Sequence, residues 1–435
     1  MNGFVLYLEK RWVAAMERGL LKKIIEDQRD YYLPKVFFDR SQSEAIRDFL
    51  DDPSVLIISG VRRSGKSTIM RVLLQEQSET DYYFNFDDER LIHFNVDDFQ
   101  VLYEVFIELF GKQSTFYFDE IQNIEGWERF VRRLYEKGNK IFITGSNAKL
   151  LSRELGTHLT GRNIQIEVYP LSFREIVHHE APELLKKKGF STIDTGILLN
   201  IFGNYIKYGG FPEYVKFKKL EYLKSLYEGI LYRDIIVRYN ISNEKALKEL
   251  VYYFSSNIGK EFSFNNLCEH LGLGSTGTVT KYCSYLEDCY LCFFVSRYSH
   301  SLKKQIQHNK KCYMIDTAMI QLIGFRVSDD RGRLLENIVF LHLKMKGEEI
   351  YFHKDQKECD FLIRKKNRIS HAIQVTLHMS DKRVRKREIE GLLEAMRAYN
   401  LEEGLIVTEN EEETIEIENS KIRLVPIWKW LLISK

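Results

Sequence analysis

The sequence predicts an α/β fold: a parallel sheet carrying a phosphate loop, then a helical stretch and two smaller C-terminal parts. Three observations predict it. Gly60-Val61-Arg62-Arg63-Ser64-Gly65-Lys66-Ser67-Thr68 satisfies the pattern Gly, four residues, Gly-Lys-Ser at every position. A strand-like apolar run at 54–59 precedes this loop and a helix-like run at 67–77 follows it. Beyond the loop, strand-like and helix-like runs alternate at lengths that suit strands sandwiched by helices.

The flanks give the loop its chemistry. Backbone N–H groups at a glycine turn and a helix N-terminus form an anion cradle, to which the helix dipole adds partial positive charge. Gly60 and Gly65 let the backbone approach phosphates without a Cβ in the way. Lys66 is placed to reach the β/γ-phosphates, and Ser67 to ligate Mg²⁺. The pattern implies a bound nucleoside triphosphate but does not select the base.

Composition narrows the class. A chain of 435 residues should hold two to four domains of ~100–200 residues each. With 44% hydrophobic and 29% charged residues it reads as globular, and its net charge of +2 confines any nucleic-acid surface to a local patch. No apolar run approaches the ~18 residues of a membrane helix, so no membrane partner is expected. The N-terminal apolar run ends in Glu9, Lys10 and Arg11, with its charges on the wrong side for a secretory signal. Cys289 and Cys292 are the only close cysteine pair and lie in an apolar run, which favours core thiols over zinc and a reducing, cytoplasmic location.

Residues 1–50 read as a helical segment, with Ser41 and Glu44 at capping-box spacing ahead of Ile46, Phe49 and Leu50. The core is expected over 51–170. A strand at 81–88 and a crossover helix at 99–111 lead to Thr-Phe-Tyr-Phe-Asp-Glu at 115–120. An acid at the end of a neighbouring parallel strand, Asp119, can complete a Mg²⁺ shell. The next acid, Glu120, can orient or deprotonate the attacking water; solvated strand-end acids are the competing role. After a helix carrying Trp127, Phe130, Val131 and Leu134, a strand at 140–147 ends in Ser146 and Asn147. Either could hold the water or the γ-phosphate, the alternative being an N-cap for a helix from Ala148. Leu159-Thr160-Gly161-Arg162 then precedes a fifth strand at 164–168. Arg162 could reach a neighbour's γ-phosphate, or simply pair with Glu154 or Glu167 on the surface.

Gly-Val-Arg-Arg-Ser-Gly-Lys-Ser-Thr, Phe-Asp-Glu-Ile-Gln, Ile-Thr-Gly-Ser-Asn, Leu-Thr-Gly-Arg and Pro-Leu-Ser-Phe together resemble the prokaryotic AAA-type ATPases. Tyr208-Gly209-Gly210-Phe211-Pro212-Glu213 and Tyr232-Arg233-Asp234-Ile235 narrow the resemblance to the group with an uncharacterised C-terminal domain. It covers nearly the whole chain. It implies ATP as nucleotide, Mg²⁺ as ion, hydrolysis through Asp119 and Glu120, and a homo-oligomeric ring. It supplies no cellular role.

Residues 171–245 are expected to form a helical lid and connector, where Arg233 and Arg238 are candidate phosphate sensors or plain surface charges. Residues 246–325 read as a winged helix-turn-helix. Its recognition helix would present Ser275, Thr276, Thr278, Thr280 and Lys281, and its hairpin Lys303, Lys304, Lys310 and Lys311. DNA contact over 275–311 competes there with a protein-interaction role. In 326–435 the order helix, three strands, helix, strand, with Glu336, Asp360 and Gln374, resembles the restriction-endonuclease-like fold. Thr376 stands where that fold's catalytic pattern wants Lys, so cleavage is not expected. A basic cluster at 364–387 offers a second DNA surface, before an acidic stretch at 402–418. Three readings compete: an ATPase coupled to DNA, a nucleotide-dependent signalling or scaffold switch with protein partners, and an ATP-controlled nuclease.

Overall fold

The computed structural model describes residues 16–29, 38–147, 161–325, 330–417 and 419–433. The chain divides into two compact units, Met1–Gly60 with Gly65–Val168, and Val61–Ser64 with Tyr169–Lys435.

The first unit runs α1 (Arg18–Arg29), α2 (Ser41–Arg47), β1 (Val55–Gly60), α3 (Lys66–Gln75), β2 (Tyr83–Asn85), α4 (Asp98–Phe110), β3 (Thr115–Asp119), α5 (Trp127–Glu136), β4 (Lys140–Gly145) and β5 (Asn163–Val168). Its strands lie in the order β2-β3-β4-β1-β5, all parallel. Parallel strands covered on both faces carry near-continuous apolar runs, and β1 is buried at every position. Side chains alternate between faces. On β3, Phe116 and Phe118 enter an aromatic core with Tyr82, Phe84, Phe99, Trp127 and Phe130, while Tyr117 joins Leu56, Ile58, Ile69, Met70 and Phe142 on the other face. Crossovers between parallel strands need helices, and α3, α4 and α5 supply them.

Two local expectations fail. The Ser41–Glu44 capping box does not form: Arg40 holds the N-cap position, with no side-chain cap, and Ser41 is already helical. The spacing was right, but the extended backbone that caps a helix falls one residue earlier. The strand expected over 81–88 shortens to three residues, because a turn at 86–87 and a short 3₁₀ turn, Glu89–Leu91, follow it. The helix expected from Ala148, with Leu159, Thr160 and Glu154, lies outside the described residues.

The second unit begins with helices α6 (Phe173–Glu180), α7 (Thr192–Tyr208), α8 (Pro212–Phe217) and α9 (Leu220–Glu228), the last continuing into a π-helix, Gly229–Val237. It proceeds through α10 (Glu244–Ser256), β6 (Glu261–Phe262), α11 (Phe264–His270), α12 (Thr276–Asp288), β7 (Cys292–Arg297), α13 (Leu302–Gln307), β8 (Lys310–Met314) and α14 (Thr317–Ile323). It ends with α15 (Arg331–Met345), β9 (Glu349–Lys354), β10 (Glu358–Lys365), β11 (Arg368–Val375), α16 (Lys382–Tyr399), β12 (Glu403–Thr408), β13 (Glu413–Ile417), β14 (Ser420–Pro426) and α17 (Ile427–Ile433). One mixed sheet, β13-β14-β12-β11-β10-β9-β7-β8-β6, takes strands from both sides of residue 325, joined where β7 pairs in parallel with β9.

The Gly209-Gly210 pair has a steric cause. A Cβ on Gly209, whose φ is +65°, would fall 2.1 Å from the Asp316 carboxylate, and one on Gly210 would fall 2.2 Å from the Leu171 carbonyl oxygen. Asp316 accepts the Gly210 N–H at 2.7 Å and caps α14 through Ala318 N–H. Asp316 thus ties the end of α7 to the start of α14.

The lysines assigned to a hairpin divide: Lys310 and Lys311 lie on β8, which pairs antiparallel with β7, and Lys311 is fully buried, whereas Lys303 and Lys304 sit exposed on α13, a short helix between the two strands. All six cysteines are free thiols. Among the described residues no helix is long and apolar enough to cross a membrane.

Candidate nucleotide-binding site

β1 delivers the loop. Gly60 ends the strand where a Cβ would lie 2.0 Å from the Val168 carbonyl oxygen, so β5 admits only glycine there. Gly65 caps α3 at φ +101°, a conformation other residues rarely adopt. Arg40, 8% exposed, brings its guanidinium to 3.4 Å from where a Gly65 Cβ would stand. Lys66 opens α3 and is 3% exposed, its ammonium 3.5 Å from Glu120 Oε1.

β4 lies between β1 and β3, so its end separates the loop from the acids. Ser67 Oγ donates to Asp119 Oδ1 at 3.0 Å, Thr144 Oγ1 donates to the same oxygen, and Tyr83 OH donates to Oδ2 at 2.9 Å. Thr144 also accepts the Glu120 N–H at 3.1 Å. Burial raises the Asp119 carboxyl above its ordinary range, the Glu120 charge adds to this, and the three hydroxyl hydrogen bonds oppose it. A buried carboxylate already facing a serine hydroxyl is one that a divalent cation would stabilise, so Ser67 and Asp119 fit Mg²⁺.

Glu120 has a left-handed backbone, φ +52°, which turns its carboxylate out of the strand direction. Glu120 Oε2 accepts from Gln122 Nε2 at 2.5 Å and from Ser146 Oγ at 3.2 Å. Ser146 therefore reaches the acid, and Asn147, fully buried, follows it in the chain.

Arg162 is not at this end of the sheet. β5 runs parallel to β1, with Asn163 opposite Val55 and Val168 opposite Gly60. Arg162 thus lies at the opposite edge, ~20 Å along the strands from the loop, with its guanidinium over the Tyr135 ring at 5.8 Å. The same geometry rules out the Glu167 pairing, since four extended residues lie between the two.

Residues 61–64 of the loop sequence belong to the second unit. There Arg62 meets Asp234 with two hydrogen bonds, at 2.9 and 3.1 Å, and Arg63 reaches Glu213 at 3.1 Å. The carboxylate that meets Arg62 is thus Asp234, which adjoins Arg233 in the chain. Sequence reading missed Arg40, Tyr83, Gln122, Thr144 and Asp234. Gln122, Thr144 and Asp234 lay inside motifs quoted above that gave them no role, and Arg40 and Tyr83 carried no signal.

Loop, acids and sheet order define a P-loop, ATP-binding protein of the AAA type, and an AAA domain matches residues 52–177. Two domains of unknown function, DUF8612 and DUF4143, match 199–329 and 331–430. The chain is 35% identical over 398 residues to an uncharacterised protein of Methanocaldococcus jannaschii, covering 87% of this chain and 88% of that one. It is 32% identical over 401 residues to an uncharacterised protein of Haemophilus influenzae, covering 88% and 96%. The chain belongs to the family of these two proteins. Among solved structures, Cdc6p of Pyrobaculum aerophilum is similar at 13% identity and a TM-score of 0.28, over 72% of this chain and 97% of its own, a likeness too weak to bear on function.

Proposed function

We propose that this protein hydrolyses ATP and uses nucleotide state to act on DNA or a protein partner through its C-terminal parts. The observation that carries hydrolysis is the placement of Glu120. Its carboxylate is oriented by Gln122 and Ser146 and lies 3.5 Å from the loop lysine, the position for a group that directs water at a terminal phosphate. Ser67 and Asp119 would hold Mg²⁺, which supplies neutralising charge on the phosphate oxygens. Lys66 and the backbone of 60–68 hold the phosphates, and Ser146 and Asn147 sit beside the reacting end. Arg162, at the far edge of its own sheet, is left either the role in trans that its motif implies, completing a neighbour's site in a homo-oligomer, or a structural one against Tyr135.

For the partner, α10, α11 and α12 with the antiparallel strands β6, β8 and β7 have the order of a winged helix. α12 exposes Ser275, Thr276, Thr280 and Lys281, which suit phosphate contacts. A second reading, a switch whose partner is protein, is favoured by the charges of 364–387. Arg364 pairs with Glu349, Lys365 with Glu348, Arg385 with Glu413 and Arg387 with Glu388. These four carboxylates, of which Glu413 alone belongs to the acidic stretch after residue 401, thus neutralise part of the basic cluster. ATP turnover measured with and without duplex DNA, across salt concentration, separates the readings. Stimulation that falls steeply with salt supports DNA, and turnover indifferent to DNA supports a protein partner.

A further inference from the structure

In the second unit a cavity of about 920 Å³ is lined by Glu336 of α15, Glu358 and Asp360 of β10, Gln374 of β11 and Glu388 of α16. Glu336, Asp360 and Gln374 among them are the positions that resemble a nuclease centre, whose own lysine is replaced by Thr376. A lysine is nevertheless present. Lys311, from β8 and so outside the motif strands, is 0% exposed and places its ammonium 2.7 Å from Glu358 Oε1, 3.0 Å from Asp360 Oδ1 and 3.4 Å from Glu336 Oε1.

An ammonium has three N–H donors, and here three carboxylates take them, so none is left to face a phosphate in the cavity. The remaining carboxylate oxygens are occupied too. Glu336 accepts from Tyr313 OH at 2.8 Å and Arg333 at 2.8 Å, Glu358 meets Lys354 at 2.7 Å, and Asp360 Oδ2 accepts the Val375 N–H at 3.0 Å. With Glu388 paired to Arg387, the four carboxylates are matched by Lys311, Arg333, Lys354 and Arg387, leaving no net negative charge to attract a divalent ion. The backbone makes room for the arrangement: a Cβ on Gly259, at φ +67°, would fall 2.5 Å from Glu336 Oε1. Among the described residues no group of three or more His, Cys, Asp or Glu is gathered to hold a metal ion.

We infer that Lys311 is the resident cation of this centre. Its ammonium takes the place between Glu336, Glu358 and Asp360 that a divalent metal would otherwise hold, and it joins β8 to β10 and α15 without one. Burial works against the charge, and Tyr313 and the three carboxylates overcome it, holding Lys311 well above the ordinary lysine range. The centre therefore keeps its cation at neutral pH.

The test is a Mn²⁺ titration of the full chain, without nucleotide, followed by electron paramagnetic resonance and thermal unfolding. Wild type and Asp360→Asn are expected to bind Mn²⁺ alike, because the metal finds no place beside Lys311. Lys311→Ala is expected to melt lower in EDTA, to recover with Mn²⁺, and to bind the ion on the order of a hundredfold tighter than wild type, since a unit charge at contact distance is gone. Lys311→Ala/Asp360→Asn should lose that recovery. Wild-type Mn²⁺ binding that disappears in Asp360→Asn overturns the inference, as does Mg²⁺-dependent DNA cutting abolished by that substitution. If Lys311→Ala folds neither with nor without Mn²⁺, a metal cannot stand in for the ammonium and the inference is overturned as well.

Discussion

Glu120 sits in a left-handed backbone conformation at φ +52°, which a residue with a Cβ occupies at a cost of ~1–3 kcal/mol. Neighbours hold it there: Thr144 takes its N–H, and Gln122 and Ser146 hold its carboxylate. If Ser146 orients this acid, Ser146→Ala should lower kcat by about tenfold while leaving KM for ATP within about twofold, a split that steady-state kinetics reads directly. Equal losses in binding would move Ser146 to a phosphate contact. Lys66→Ala should abolish nucleotide binding measured by fluorescent-ATP titration, because Lys66 is the buried cation that opens α3. The place of Asp119 and Glu120 was legible in the sequence because its signal is local: two acids ending an apolar strand after a complete loop. Thr144 and Tyr83 were not, since their contact with Asp119 depends on which strands flank β3. Lys311 was read as a surface lysine for a like reason. Its partners lie on β10 and α15, and no local pattern places β8 beside them.

At the scale of elements, the Arg62–Asp234 pair fixes residues of the loop sequence against the π-helix Gly229–Val237. The Asp234 side chain is 2% exposed, so Arg62→Ala would leave a buried charge and should cost on the order of 3 kcal/mol in urea unfolding. Arg62→Ala combined with Asp234→Asn should cost less than that single change, and a strictly additive cycle would show that the two do not interact. The cluster around Lys311 gives a pH signature. Burial tends to raise the Glu358 carboxyl, but Lys311 and Lys354 hold it down at about 2, against an ordinary 4.5. A depressed acid contributes stability that is complete above pH ~4.5 and lost as pH falls through 2. Glu358→Gln should therefore flatten the acid limb of thermal stability between those values. Helix and strand order was largely legible, from the 2- and 3.6-residue periods. Boundaries were not where a cap or turn decides them, as at Ser41, where the N-cap fell on Arg40.

At the scale of the whole molecule, the first unit was legible as a parallel sheet carrying a phosphate loop, but the order of its strands, and so which side chains flank Asp119, was not. The second unit was legible in its elements and not in its charges. Arg385 on α16 and Glu413 on β13 are 28 residues apart in the chain, and only their meeting in the fold shows that they neutralise each other. For that reason DNA contact, if it occurs, should depend more on α12 than on 364–387. Lys281→Ala is expected to weaken any binding of labelled DNA, whereas Arg385→Ala should leave it nearly unchanged, with fluorescence anisotropy as the readout. Arg162 belongs to this scale as well. Lying ~20 Å from its own loop, it should restore turnover only in mixtures of Arg162→Ala with Glu120→Gln protein, through sites shared between copies.

The claim on which the rest depends is that Glu120 directs water at a terminal phosphate held by 60–68. Single-turnover ATP hydrolysis by Glu120→Gln, with nucleotide affinity measured on the same sample, tests it most directly. The expected result is unchanged affinity with hydrolysis slowed ~10²–10⁴-fold. Wild-type hydrolysis in Glu120→Gln would contradict it.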